Sequence, residues 1–203
     1  MIEYNELKKL LLDHQQMINM IDPKSLAIQE FLHTQSRKQA VDDNHVFTFV
    51  YRNYHNLTTP SLTAEFETKY FQLMEQVRKS SKVPNITQLT YSLYVIKNRY
   101  NNPNMQFPLV IDMVHTFYPH FPTFSQAIVQ TFKFPTTYHL TGFYKKMARS
   151  IEQYRYVHDT YQQLLQEDVI QPLFKKFDEQ FPNNNFGKVK KLDLIVNQLG
   201  EIK

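Results

Sequence analysis

Asp112 and His115 stand three residues apart in a stretch of helical periodicity, a spacing that could share a metal ion or form an acid–base pair. The other histidines are placed less usefully. His45 and His55 are ten apart, His115 and His120 straddle Pro119, and no two of the eight sit at the four-residue spacing that puts both imidazoles on one helix face. Ser125 is a further polar residue in this region, yet no serine has the glycine-flanked elbow of a nucleophile. The three glycines stand alone at Gly142, Gly187 and Gly200, which removes phosphate-cradling loops and dinucleotide fingerprints. With no cysteine there is no thiol nucleophile, disulfide, thiolate zinc site or iron–sulfur cluster. An enzyme with a noncanonical site near Asp112 and His115 is a further alternative, which a gathering of Asp112, His115, His120 and Ser125 around one pocket would favour. Otherwise the sequence describes a protein without catalytic residues, metal or cofactor.

Basic residues interleaved with tyrosines are the second kind of candidate. Tyr91, Tyr94, Lys97, Arg99 and Tyr100 lead into an asparagine-rich turn, Asn101-Asn102-Pro103-Asn104. Further on, Tyr144, Lys145, Lys146, Arg149, Arg155 and Tyr156 decorate a long helical segment. Lysine and arginine on such surfaces hold phosphates, and tyrosines stack or hydrogen-bond beside them. Candidate nucleic-acid contacts are therefore Lys97, Arg99, Asn101, Asn104, Lys145, Lys146 and Arg149. Lys188, Lys190 and Lys191 open the last helical segment, at the dipole end that disfavours cations, which suggests another use for them.

The elements that must position these residues read at helical period almost throughout. A chain of 203 residues, 42% hydrophobic and 14% aromatic, is long enough for a real core. An apolar stripe runs Leu7, Leu10, Leu11, Met17, Ile18 and Ile21, and includes His14. Asp22-Pro23 and Thr59-Pro60 look like a cap followed by proline at the first helical position. Asp42 or Asp43 is expected to cap a short aromatic helix, while Asn85 with Gln88 and Thr123 with Gln126 fit capping boxes. From Phe143 to Leu165 one face continues through Met147, Ile151, Tyr154, His158 and Tyr161, where His158 is expected to be a core histidine. Val46 to Tyr51 is the best strand candidate, but its flanks favour helix. The expectation is an all-α fold of about nine to ten helices in a single domain spanning 1–203.

The formal net charge is +4, which permits an acidic partner without demanding one. No apolar run approaches the roughly 20 residues of a membrane span, and the N-terminus lacks the pattern of a secretory signal, so a cytoplasmic protein is expected.

The segment from Phe107 to Pro119, with Phe121 to Val129 and the closing stretch Val189 to Asn197, is similar to a loose group of uncharacterised bacterial proteins. That group in turn resembles the helical core of the helix-hairpin-helix DNA glycosylases. The likeness covers the second half of the chain and implies a scaffold that meets DNA phosphate through a hairpin. In those enzymes the hairpin is glycine-rich; here Asn101 to Gln106 holds no glycine and no lysine that could form a Schiff base. The family's essential aspartate would fall near Ser125, which cannot supply the charge. On that scaffold base excision by the familiar mechanism is not expected, and the shared fold does not by itself give a function. The leading expectation is a non-catalytic protein that binds nucleic acid. A module that docks a protein partner or self-associates through exposed aromatics is the alternative.

Overall fold

Hydrophobic side chains such as Leu7, Leu11, Ile128, Phe132, Val157, Leu192 and Ile195 are almost completely shielded, and helices built around them explain the architecture. The computed structural model describes residues 1–13, 15–137 and 139–201; the expected place of His14 on the first stripe lies outside them. The described residues form ten α-helices and three short 3-10 segments, with no strand. The α-helices are α1 Tyr4–Asp13, α2 Pro23–Gln35, α3 His45–Tyr54, α4 Ala64–Lys79, α5 Ile86–Tyr94, α6 Phe107–Phe117, α7 Gln126–Thr131, α8 Phe143–Leu165, α9 Gln171–Gln180 and α10 Lys188–Glu201. The fold is all-α, and Val46 to Tyr51 lies inside α3.

The chain divides into two compact units. Met1–Ala27 and Pro119–Lys203 make up the first, Ile28–Tyr118 the second, so the division falls within α2. In the first unit α10 is the hub. It packs on α7, α1, α8, α9 and the 3-10 segment Gln15–Met20, burying Leu192, Ile195 and Val196. Gly200 allows a close approach of α10 to α7, because a Cβ there would meet the Ala127 carbonyl oxygen at 2.1 Å. The N-terminus is pinned on both sides: the Ile2 N–H donates to Phe132 O at 2.9 Å and Tyr156 Oη donates to Ile2 O at 2.8 Å. In the second unit α4 packs on α6, α5 and the 3-10 segment Val41–Asp43. An aromatic cluster of Phe47, Tyr51, Phe66, Tyr70 and Phe71 fills the interior there.

The helix starts show which polar residues the chain uses as caps. Asp22 accepts from the N–H groups of Lys24 and Ser25, and Asn85 accepts from Gln88 N–H, as the sequence leads one to expect. Three other starts lie one to four residues downstream of the expected cap. Asn44, rather than Asp42 or Asp43, caps α3 because those two aspartates are taken up in the preceding 3-10 turn. Thr63 caps α4, since Thr59 instead closes a turn with its hydroxyl on Asn56 O. Ser125 caps α7, because Thr123 is drawn to Asp193.

His158 is a correction of a different kind. Its side chain is 33% exposed and pairs with Asp159 at 3.0 Å. The buried face of α8 runs through Phe143, Met147, Ser150, Tyr154, Val157, Tyr161 and Leu164, a 3.6-residue stripe that leaves position 158 at its margin.

Candidate nucleic-acid interface

In the second unit, the asparagine-rich turn between α5 and α6 is organised by Asn98. Its N–H donates to Asn102 O at 2.9 Å, and its side-chain Oδ1 accepts from the N–H groups of Tyr100 at 2.9 Å and Asn102 at 3.1 Å. Asn101 takes the left-handed conformation, φ 60°, and donates its N–H to Asn98 O. Asparagine is one of the few non-glycine residues that enters this region readily, which lets the turn form without glycine. Lys97 and Pro103 pair as an isolated antiparallel bridge across the base of the turn. Arg99 fastens the turn to the loop before α4, its N–H donating to Ser61 O and its Nε to Leu62 O, both at 3.0 Å.

This scaffold leaves the candidate residues at the surface. Lys97, Arg99, Asn101 and Asn104 are exposed, and Tyr100 keeps 72% of its accessible surface. Lys97 and Asn104 also border a shallow recess over Leu62 and Phe66 that has room for about one water molecule. It is too small for a substrate. Lys82, absent from the sequence-based candidates, is a further exposed cation of the second unit. Tyr118 donates to the carbonyls of Ser80 and Lys82 at 3.1 and 3.0 Å, bracing an exposed loop that presents the Lys82 side chain.

In the first unit, the candidate residues lie on the opening turns of α8. Gly142, at φ 76°, directs the chain into this helix. Phe143 and Met147 bury their side chains, which turns Tyr144 and Lys145 outward; Lys146 is half-buried. Tyr144 is 75% exposed. Arg149 is the least available, because its Nε pairs with Glu152 at 3.2 Å. Tyr156 is engaged at Ile2 O, so it does not extend this face. Lys188, Lys190 and Lys191 have internal uses: Lys188 donates to Gln171 Oε1, Lys190 is buried, and Lys191 pairs with Asp178 while its Nζ lies over the Phe177 ring.

One electrostatic feature ties the candidates together and was readable from the sequence, although overall net charge conceals it. Residues 76–151 carry nine Lys and Arg and a single acid, Asp112. The rest of the chain carries fourteen bases and eighteen acids. Four of the nine bases meet carboxylates at the edges of other segments: Arg78 and Lys79 on Glu75, Lys133 on Glu6, and Arg149 on Glu152. Lys82, Lys97, Arg99, Lys145 and Lys146 form no ion pair among the described residues.

The acid–base candidates behave differently. Asp112 lies on α6 with His115, but its Oδ2 meets Nδ1 of His55, at the end of α3, at 3.1 Å. The His55 ring packs against Tyr51, with centroids 4.3 Å apart. Beneath it Tyr51 Oη donates to Tyr70 Oη at 2.8 Å, and Tyr70 donates to Leu109 O at 2.6 Å. Burial pushes both phenols well above their ordinary pKa, so both keep their protons and serve as structural donors. His115 is buried on α6, also in the second unit. His120 and Ser125 belong to the first unit, where the His120 ring packs on Phe121 and Ser125 caps α7 while donating to Asn197 Oδ1. Among the described residues no three His, Asp or Glu side chains are grouped as a metal site.

No helix among the described residues is long and apolar enough to cross a membrane. No family model matches this chain, and neither does any curated protein or solved structure.

Proposed function

We propose that the chain binds nucleic acid, without catalysis, at two separate basic surfaces: Lys82, Lys97, Arg99 and the asparagine turn on the second unit, and Lys145 and Lys146 on the first. The observation that carries this reading is the charge segregation. A stretch of 76 residues with nine bases and one acid presents five of those bases without a carboxylate partner among the described residues. Cations without carboxylate partners release counterions when they meet a phosphate backbone, and this term dominates sequence-independent affinity. The α5–turn–α6 segment is the part that the glycosylase-like resemblance assigns to phosphate contact, with asparagine in place of glycine. A cysteine-free chain of this composition fits a reducing, cytoplasmic setting.

The direct test is fluorescence anisotropy of labelled oligonucleotides at low and at physiological salt. Binding that weakens steeply with salt supports the reading. No binding at low salt refutes it.

A second reading has its own support. Val46 and Phe49, three apart on α3, are 64% and 65% exposed. Two large apolar side chains on one helix face suit a protein partner. If oligonucleotides fail to bind and Phe49→Ser abolishes self-association or capture of a partner, this reading replaces the first.

A further inference from the structure

We infer that the nucleic acid is taken as a single strand, its bases stacking on Tyr100 of the second unit and, at a separate contact, on Tyr144 of the first. The inference rests on the nucleic-acid reading above and specifies the form of its ligand.

Most tyrosines of this chain have an evident structural use. Tyr51, Tyr70, Tyr154 and Tyr161 are buried, and the hydroxyls of Tyr4, Tyr118 and Tyr156 are bound to Glu167, to the loop carbonyls of Ser80 and Lys82, and to Ile2 O. Tyr100 and Tyr144, at 72% and 75% exposure, are the two most exposed large hydrophobic side chains of the described residues. Neither position is a loose end. The backbone of Tyr100 is tied to the Asn98 side chain, and the neighbouring Arg99 is anchored twice to the loop before α4. Tyr144 sits in the first turn of α8, its ring set edge-on to the buried Phe143 at 5.4 Å and 80°. Each ring is therefore held on a braced backbone.

Each ring also has cations as sequence neighbours. Arg99 and Lys97 accompany Tyr100, and Lys145 and Lys146 follow Tyr144, with no acid between residues 113 and 151 or between 76 and 111. Exposed aromatic rings in a cation-rich stretch suit a single strand, whose phosphates would meet lysines while its bases stack on the rings. A duplex encloses its base faces in its own stack and shows only groove edges and backbone, so it would leave the rings without a partner. The preference is expected to be sequence-tolerant, since every base offers a π-face.

The test compares one 20-nucleotide sequence as a single strand and as a duplex, at the same salt, with heparin as an anionic polymer lacking bases. The single strand is expected to bind most tightly. Tyr100→Ala and Tyr144→Ala are each expected to weaken it by at least about fivefold, with little change for duplex or heparin. Tyr100→Phe and Tyr144→Phe retain the ring and should restore most of the affinity. Because both side chains are exposed, the alanine variants should melt at the wild-type temperature, which separates lost stacking from lost folding. Equal binding of strand and duplex, or alanine variants that bind the strand normally, overturns the single-strand inference and leaves nucleic-acid binding standing. Failure of every oligonucleotide at low salt, whether or not heparin binds, overturns both.

Discussion

Asp112 Oδ2 and His55 Nδ1 lie 3.1 Å apart, joining α6 to the end of α3 and engaging the lone acid of residues 76–151. Both side chains keep partial exposure, 22% for Asp112 and 15% for His55, so solvent screens the contact. A double-mutant cycle with Asp112→Ala and His55→Ala is expected to give a coupling energy of about 0.5–1 kcal/mol. The same variants should leave oligonucleotide affinity within about twofold of wild type, as fits a contact that positions helices. A loss of binding of tenfold or more would place the pair in the interface instead.

Glu75 provides a pH signature. Its carboxylate receives Nε and Nη2 of Arg78 at 2.7 Å each, Lys79 at 3.1 Å and the Val41 N–H at 3.0 Å. The Arg78 hydrogen bonds are the main cause holding its pKa down, from 4.5 to about 2, against a smaller opposing effect of burial. A depressed carboxylate contributes stability above its unfolded pKa and loses it as pH falls through the folded one. The contribution should therefore be full above pH 4.5 and fade towards pH 2. Glu75→Gln is expected to cost about 2 kcal/mol at pH 7 and to flatten this part of the stability profile. Urea midpoints measured from pH 7 down to pH 2 decide the matter; parallel profiles for the two proteins would refute it.

Asp193 titrates in the opposite sense. It is fully buried and accepts from Thr123 N–H at 3.0 Å, Thr123 Oγ1 at 2.8 Å and Tyr161 Oη at 3.3 Å. Burial pushes its pKa above 3.8, although Lys190 and the hydrogen bonds from Thr123 and Tyr161 pull the other way. The folded chain then holds this proton more tightly than the unfolded one, and stability falls as pH rises from 3.8 through the raised pKa. Asp193→Ala leaves three donors unpaired in the interior and should cost about 3 kcal/mol in denaturant unfolding. A cost under about 1 kcal/mol would show that the site accommodates water freely.

Gly200 and Gly187 form a matched pair of controls for the packing of α10. Gly200→Ala places a methyl group 2.1 Å from Ala127 O and is expected to destabilise by about 1–2 kcal/mol, moderated by its place in the last turn. Gly187→Ala meets nothing within 4 Å and should be nearly neutral. Thermal melts of the two variants measure the contrast directly, and equal melting temperatures would contradict the close contact.

The cations should separate by whether they are paired. Lys97→Ala and Lys145→Ala are each expected to reduce the slope of log affinity against log salt by about 1, the mark of one lost phosphate contact. Arg149→Ala should change it little, because Glu152 already neutralises that side chain. A larger effect from Arg149 than from Lys97 would reverse the assignment.

The sequence by itself determined the helices, because their signal is local. Apolar residues at 3.6-residue spacing, prolines at helix starts and asparagine at turns act within a few residues of one another. It also determined the charge segregation, a property of composition that survives any folding. Caps were only partly legible. Thr59, Thr123 and Asp42 carry the right oxygen, yet long-range or competing contacts claim them: Thr123 bonds to Asp193, seventy residues away. Tertiary structure alone decided the partner of Asp112, since nothing in the spacing of positions 55 and 112 marks them as neighbours. It likewise decided which lysines remain unpaired and which tyrosines are exposed. Pairing and burial depend on which helix faces meet in space, and those encounters join residues that no local pattern connects.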